Sequence, residues 1–148
     1  MRVRVLVATA TFLAGCGSGP NPGAPCPEPS GEFPPSHCAF VTGRLTAGGA
    51  PVTGAGLRVD DFVAPVGYAY TSNAASTDRD GRFSLLVLRL NEFRAPTVPD
   101  TATVYVKVYS GVSAAQPGAP TTDSVAVVMS FAPMGTVVDT TEAALTMP

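Results

Sequence analysis

Hydrophobic and polar residues alternate over short stretches of the chain from residue 38 onward. In the stretch ATVYVKVYS, for example, Val104, Val106 and Val108 alternate with Tyr105 and Lys107. This period of two is typical of a β-strand with one buried face, and no segment combines a helix cap with a period of 3.6. Glycine and proline separate the stretches at short intervals. The pattern therefore predicts an all-β fold.

Seven stretches carry this strand pattern. In chain order they are CAFVTGRLT, GLRVDDFV, VGYAYTS, GRFSLLVLRL, ATVYVKVYS, DSVAVVMSF and GTVVDTTEAALTM. Leu57 and Val59 share one face of the second stretch, and Tyr68 and Tyr70 share a face of the third, which we interpret as core packing. About seven short strands with frequent turns predict a single antiparallel β-sandwich of the transthyretin or immunoglobulin type, over residues 37–148.

The N-terminal residues follow a different pattern. Arg2 and Arg4 precede an apolar or small-residue run from Val5 to Ala14. Such a run is too short to cross a hydrocarbon layer of about 30 Å as a helix. A basic pair before a short apolar run is typical of an export signal, so residues 1–15 are predicted to be a signal peptide. A buried strand or helix of the domain is the alternative.

The run ends in the four residues LAGC, the last of which is Cys16. They resemble the lipobox of bacterial lipoproteins, in which an aliphatic residue and two small residues precede an obligatory cysteine. The resemblance implies cleavage before Cys16 and a diacylglyceryl group on its thiol. Two acyl chains would anchor the protein to a membrane, since each buried methylene contributes about 0.8 kcal/mol. Plain secretion is the alternative.

The expected location is therefore the extracytoplasmic face of the cell envelope. Gly17, rather than aspartate, follows the cysteine, which is consistent with the outer membrane if the source is Gram-negative. Residues Gly17 to Ser36 contain seven prolines and four glycines, a composition that disfavours helix and sheet. Residues 16–36 are thus predicted to be a disordered, extended tether.

The other two cysteines are Cys26 and Cys38. With Cys16 carrying lipid, they form an even pair in an oxidising compartment, and we predict a disulfide between them. Closing that loop would contribute about 3 kcal/mol and would attach part of the tether to the domain. Two unpaired thiols are the alternative.

Two stretches of the domain resemble carboxypeptidase regulatory-like domains, which belong to the transthyretin-like group. They are VTGRLTAGGAPVTGAGLRV (41–59) and STDRDGRFSLLV (76–87). The resemblance covers residues 40–90 and implies a β-sandwich with a turn at Gly81, after which Phe83 enters the core. The matching residues are Gly43, Pro51, Val52, Gly54, Ala55, Thr77, Asp78, Asp80, Gly81 and Phe83.

Charge and residue types argue against several functions. The formal net charge of -2 gives no electrostatic basis for binding nucleic acid. His37 is the single histidine, it has no nucleophile elbow to accompany it, and the transthyretin-like enzymes need several histidines. The adjacent Asp60 and Asp61 would point to opposite faces of a strand. We expect no catalytic residues, no cofactor and no enzyme; a carboxylate-based hydrolase is the alternative.

We also expect no metal site. One histidine with two cysteines gives no recognisable zinc spacing. The segment DRDG (78–81) matches part of an EF-hand loop, but Ser76 falls at the first ligand position and Val87 where a glutamate is needed. We interpret the segment as a turn, with weak calcium binding as the alternative.

Candidate binding residues lie in the fifth stretch. If Val104, Val106 and Val108 face the core, then Tyr105, Lys107 and Tyr109 form an outward stripe that could touch a sugar, a peptide or another protein. Ordinary sheet-surface packing is the alternative. The sequence thus predicts a membrane-anchored envelope lipoprotein that acts as a non-enzymatic binding or structural module, with an envelope protein or polysaccharide as partner. A small-molecule or carbohydrate carrier is the alternative.

Overall fold

The strands described below come from a computed structural model of the chain. It describes residues 23–27, 35–63, 68–91, 100–109, 123–137 and 139–147. The predicted signal peptide, Cys16 and the first residues of the predicted tether lie outside these ranges. Within them the chain forms ten strands, and no helix there could span a membrane.

Seven longer strands and three strands of two residues make up the fold. In chain order they are β1 (Pro35–Ala47), β2 (Ala50–Pro51), β3 (Gly56–Val63), β4 (Tyr68–Ser72), β5 (Ala75–Ser76), β6 (Arg82–Asn91), β7 (Thr101–Tyr109), β8 (Asp123–Ser130), β9 (Ala132–Pro133) and β10 (Thr141–Met147). The longer strands are paired in the order β10-β1-β6-β4-β3-β7-β8, while β2 and β9 pair with β1 and β5 pairs with β3. The prediction of an all-β fold with about seven main strands is confirmed.

Strand direction differs from the prediction at one edge. β1 and β10 are parallel, with Val41 opposite Thr141 and Ala47 opposite Met147. The pairs along the rest of this path are antiparallel, as predicted. Parallel neighbours need a long connection, and the whole of the intervening domain supplies it here. Alternation of residue types carries no information on direction, so the sequence could not show this pairing.

β3 changes its pairing partner along its length, and this curls the sheet. Its first half, from Gly56 to Val59, pairs with β7, whereas its second half, from Asp60 to Val63, pairs with β4. The two ends of the path, β8 and β10, come into contact. The main core is enclosed by this curl, and it includes Leu57, Val59 and Tyr70 as predicted, together with Val41, Leu45, Leu85, Val87, Val104, Val106, Val108, Met129 and Leu145.

The DRDG segment is a tight turn before β6. Asp78 Oδ1 accepts hydrogen bonds from the backbone N–H groups of Asp80 and Arg82, both at 2.8 Å. Gly81 has a φ of +75°, and a Cβ there would lie 2.5 Å from a backbone oxygen of Leu45, so glycine is required at this point. Phe83 follows and is buried in the core. The interpretation of this segment as a turn is confirmed.

Candidate functional site

Residues 23–27 form a strap that lies against the domain. Cys26 is disulfide-bonded to Cys38 on β1, with 5.8 Å between the two Cα atoms. The backbone N–H of Cys26 donates to the carbonyl of Thr136 at 2.9 Å, and that of Gly135 donates to the carbonyl of Cys26 at 3.1 Å. The predicted disulfide is confirmed. The strap is thus part of the packed domain, and the domain boundary predicted at residue 37 falls inside β1.

The strap covers a second, smaller apolar cluster on the outer face of β1 and β6. We call it the outer cluster. Cys26, Cys38 and Phe40 are buried in it. β9 supports it from the other side, because Ala132 pairs with Cys38. The half-buried residues packed around it are Ala24, Leu86, Leu88, Ala132 and Met134.

A buried arginine is the main feature that the sequence analysis missed. Arg89 on β6 is fully buried, and its neighbours in the sheet are His37 on β1 and Tyr70 on β4. Its guanidinium carbon lies 5.0 Å from the centre of the Phe131 ring, a cation–π distance. Tyr70 also packs on Phe131, with 5.3 Å between ring centres. Inward positions of β6 alternate along the strand to residue 89, and this period could have predicted the burial of Arg89.

His37 lies in β1 beside this arginine. Its Nδ1 is 2.9 Å from the hydroxyl oxygen of Ser36. Partial burial lowers the pKa of His37, and the positive charge of Arg89 lowers the pKa further, whereas the carboxylate of Asp100 opposes both. The Ser36 hydroxyl in turn donates to the carbonyl of Arg89 at 3.4 Å. The neutral imidazole therefore contributes a hydrogen bond at the start of β1, where β1 pairs with β6.

The predicted binding stripe is only partly exposed. Tyr105 is 49% exposed, and Lys107 is half-buried, with its ammonium group donating to the carbonyl of Asp60 at 2.7 Å. Tyr109 is only 8% exposed, so the prediction that it belongs to an exposed stripe is wrong. Its partner on β3 is Gly56, which has no side chain to hold the ring away from the sheet.

Tyr105 belongs to the outer face of β7 and β8, which we call the Tyr105 face. Ala126 on β8 pairs with Tyr105, and Val128 pairs with Thr103. The side chains of Ala126, Val128 and Thr103 are exposed. The face is therefore weakly apolar, with one ring and the Lys107 ammonium at one end, and it offers stacking and van der Waals contacts rather than acid or base groups.

The described parts of the chain contain no group of three or more histidine, cysteine, aspartate or glutamate residues that could hold a metal ion. No protein-family model matches the chain, and no curated protein matches it. Among solved structures, the chain is similar to a 9R-lipoxygenase from Cyanothece PCC8801, at 17% identity and a TM-score of 0.40, over 75% of this chain and 16% of that one. The chain thus spans about a sixth of that enzyme's length, and a likeness of this size supports no inference about activity.

Proposed function

We propose that this protein is a lipid-anchored component of a bacterial cell envelope, and that its β domain acts as a non-enzymatic binding or structural module. The anchor would be a diacylglyceryl group on Cys16, after removal of residues 1–15. The domain would face away from the cytoplasm, on the outer membrane if the bacterium is Gram-negative. The observation that carries this proposal is the buried disulfide between Cys26 and Cys38.

A disulfide in the packed part of a domain supports export, because such bonds form and persist in oxidising compartments. Cys26 is 2% exposed and Cys38 is fully buried, so the bond belongs to the fold and is not an exposed, labile thiol pair. The chain has three cysteines. The pairing leaves Cys16 over, and an odd cysteine in an exported protein needs another role. Lipid attachment at the LAGC motif supplies that role.

The strap also changes the expected distance between anchor and domain. A free tether from Gly17 to Ser36 would reach about 60 Å in a polyproline conformation. Because Cys26 is attached to β1, only ten residue steps separate Cys16 from the domain. At about 3.5 Å per residue, these steps span at most about 35 Å. A lipid on Cys16 would therefore hold the β domain close to the membrane surface.

Two features support a binding or structural role for the domain itself. The turn at Asp78 and Gly81, with Phe83 buried after it, has the conformation that the likeness to carboxypeptidase regulatory-like domains implies. The Tyr105 face offers an exposed ring beside a lysine. That ring also favours a second candidate function, a carbohydrate carrier, since aromatic rings stack on the apolar faces of sugars.

Membrane fractionation of cells that express the full chain tests the anchor. We expect the unaltered protein in the membrane fraction, released by detergent and not by high salt. Cys16→Ala should remain uncleaved or appear as a soluble form. The matched control is Cys26→Ala with Cys38→Ala, which removes the disulfide and leaves the attachment site intact, so it should stay membrane-bound. A Cys16→Ala protein that is processed and still membrane-bound would contradict the proposal.

The Tyr105 face is tested separately by NMR titration of the purified protein with neutral oligosaccharides. Binding that shifts the Tyr105 and Ala126 signals, and that is lost in Tyr105→Ala, would favour the carrier. The control is Val137→Ala, which alters an exposed apolar side chain elsewhere on the domain. Shifts that are the same in both variants would contradict a carbohydrate site at this face.

A further inference from the structure

Beyond the strap, the outer face of β1 is open and slightly concave. A shallow depression of about 670 Å³ lies over β10, β1 and the start of β6. Its lining includes Arg44, Thr42, Arg82, Glu142 and Ala144. We call it the arginine depression. It is separate from the Tyr105 face, which lies on β7 and β8.

Close packing of β10 on β1 forms the base of this depression. Gly43 lies in register with Ala143 on β10 and with Phe83 on β6. A Cβ at residue 43 would collide with the carbonyl oxygen of Ala143 and lie 2.9 Å from the Phe83 ring, so only glycine allows the three strands to meet here. Ala144, the partner of Arg44 on β10, is too short to fill the space above the strands. The base is therefore backbone and small side chains.

Two like charges stand side by side in this depression. Arg44 and Arg82 are direct partners across β1 and β6, and both are exposed. Like charges directly opposite each other in a sheet repel. Arg44 Nε donates to the carbonyl of Asp80 at 2.8 Å, which fixes the direction of the side chain and leaves its two terminal nitrogens as donors.

The nearby carboxylates do not form ion pairs with these arginines. Asp78 uses Oδ1 to accept two backbone N–H groups of its own turn. The carboxylate of Asp80 lies 3.7 Å from Arg79 Nε, on the solvent side of the turn. Glu142 pairs with Thr42, two residues along the strand from Arg44. In the described part of the chain, neither Arg44 nor Arg82 forms an ion pair with a carboxylate.

We propose that the arginine depression binds an oxyanion group, a carboxylate or a phosphate, between Arg44 and Arg82. Guanidinium groups present paired donors that match such oxygens, and a bound anion would relieve the repulsion between the two side chains. Glu142, which also lines the depression, would weaken binding by charge repulsion. The site goes beyond the proposed function, because it requires neither the lipid anchor nor the Tyr105 face.

The test is an NMR titration of the full chain in detergent micelles, which follows the arginine Nε–H signals at constant ionic strength. Inorganic phosphate is one ligand and a short oligogalacturonate is the other. Saturable shifts of Arg44 and Arg82 with either ligand support the site. Tighter binding of phosphate would indicate a phosphate-bearing ligand, and tighter binding of oligogalacturonate a carboxylate-bearing polymer. The absence of saturable shifts with both would overturn the proposal.

Variants check that the binding is local. Arg82→Ala should weaken binding about three- to tenfold, the range expected for loss of one exposed charged contact. Glu142→Gln should tighten binding, because it removes a negative charge from the lining. The matched control is Arg79→Ala, which removes an equal charge whose side chain is 91% exposed and lies outside the lining. A loss in Arg79→Ala as large as that in Arg82→Ala would overturn the proposal, since binding would then follow net charge alone.

Discussion

The two halves of β1 share an inner face and differ on the outer one. Inside, Val41 and Leu45 are both buried in the main core. Outside, Phe40 in the first half is buried under the strap, whereas Arg44 in the second half is exposed in the arginine depression. Both halves belong to one strand, and they differ in whether another segment covers the outer face. Two covering segments, the strap just before β1 and β9 far along the chain, decide which half becomes core and which remains exposed.

The largest effect is expected from a change that weakens packing on the covered half of β1. Phe40→Ala should lower the free energy of unfolding by about 3–5 kcal/mol, because it removes a buried ring and leaves a cavity under the strap. Thr42→Ala, one outward position further along the same strand, should change it by less than about 0.5 kcal/mol. Urea unfolding of both variants measures the difference. Equal effects would show that the outer cluster adds no stability.

Removing the disulfide should have the next largest effect. Cys26→Ala with Cys38→Ala should cost about 3 kcal/mol, since the unfolded chain regains the entropy of a loop closed over 12 residues. Hydrogen exchange at the Cys26 and Gly135 amides should speed up as the strap detaches. Amides of the main core, such as that of Val106, provide the control. They should exchange only through global unfolding, at the rate set by the variant's overall stability. Unchanged exchange at residue 26 would mean that backbone hydrogen bonds alone hold the strap.

Acid should weaken the start of β1, where His37 pairs with β6 and β9, by a smaller amount. The pKa of His37 is lowered in the fold from 6.5, so the unfolded chain takes up a proton first as pH falls. The stability that depends on the neutral ring is complete above about pH 6.5 and decreases as pH falls from there toward the folded-state pKa. Urea unfolding at several pH values should show a steeper acid loss for the unaltered protein than for His37→Gln. Parallel curves would contradict this role for His37.

The smallest effect is expected on the open half. Arg44→Ala removes one exposed hydrogen bond to Asp80 and also removes the repulsion with Arg82. These changes oppose each other, so the free energy of unfolding should shift by no more than about 0.5 kcal/mol. The urea series above measures it. A loss of 2 kcal/mol or more, set against the scale of exposed pairs, would show that Arg44 serves the fold rather than a ligand.

The residue pattern predicted the strands well because alternation reports burial directly. The same logic extends to the run CAFV at residues 38–41, where four apolar residues in a row indicate a strand buried on both faces. The burial of Arg89 could have been predicted in the same way, since this residue continues the inward period of β6. The direction of β10 and the burial of Tyr109 could not be predicted, because both depend on partners distant in the chain. Prediction of the arginine depression would also have required the strand register, which places residues 44 and 82 side by side.

The lipid anchor on Cys16 is tested by intact mass spectrometry of the protein extracted from membranes of its native host. We expect a chain that begins at Cys16, with added acyl mass on that residue and with Cys26 and Cys38 resistant to alkylation until a reductant is added. A mature chain that begins at another residue, or one that begins at Cys16 without lipid, would contradict it.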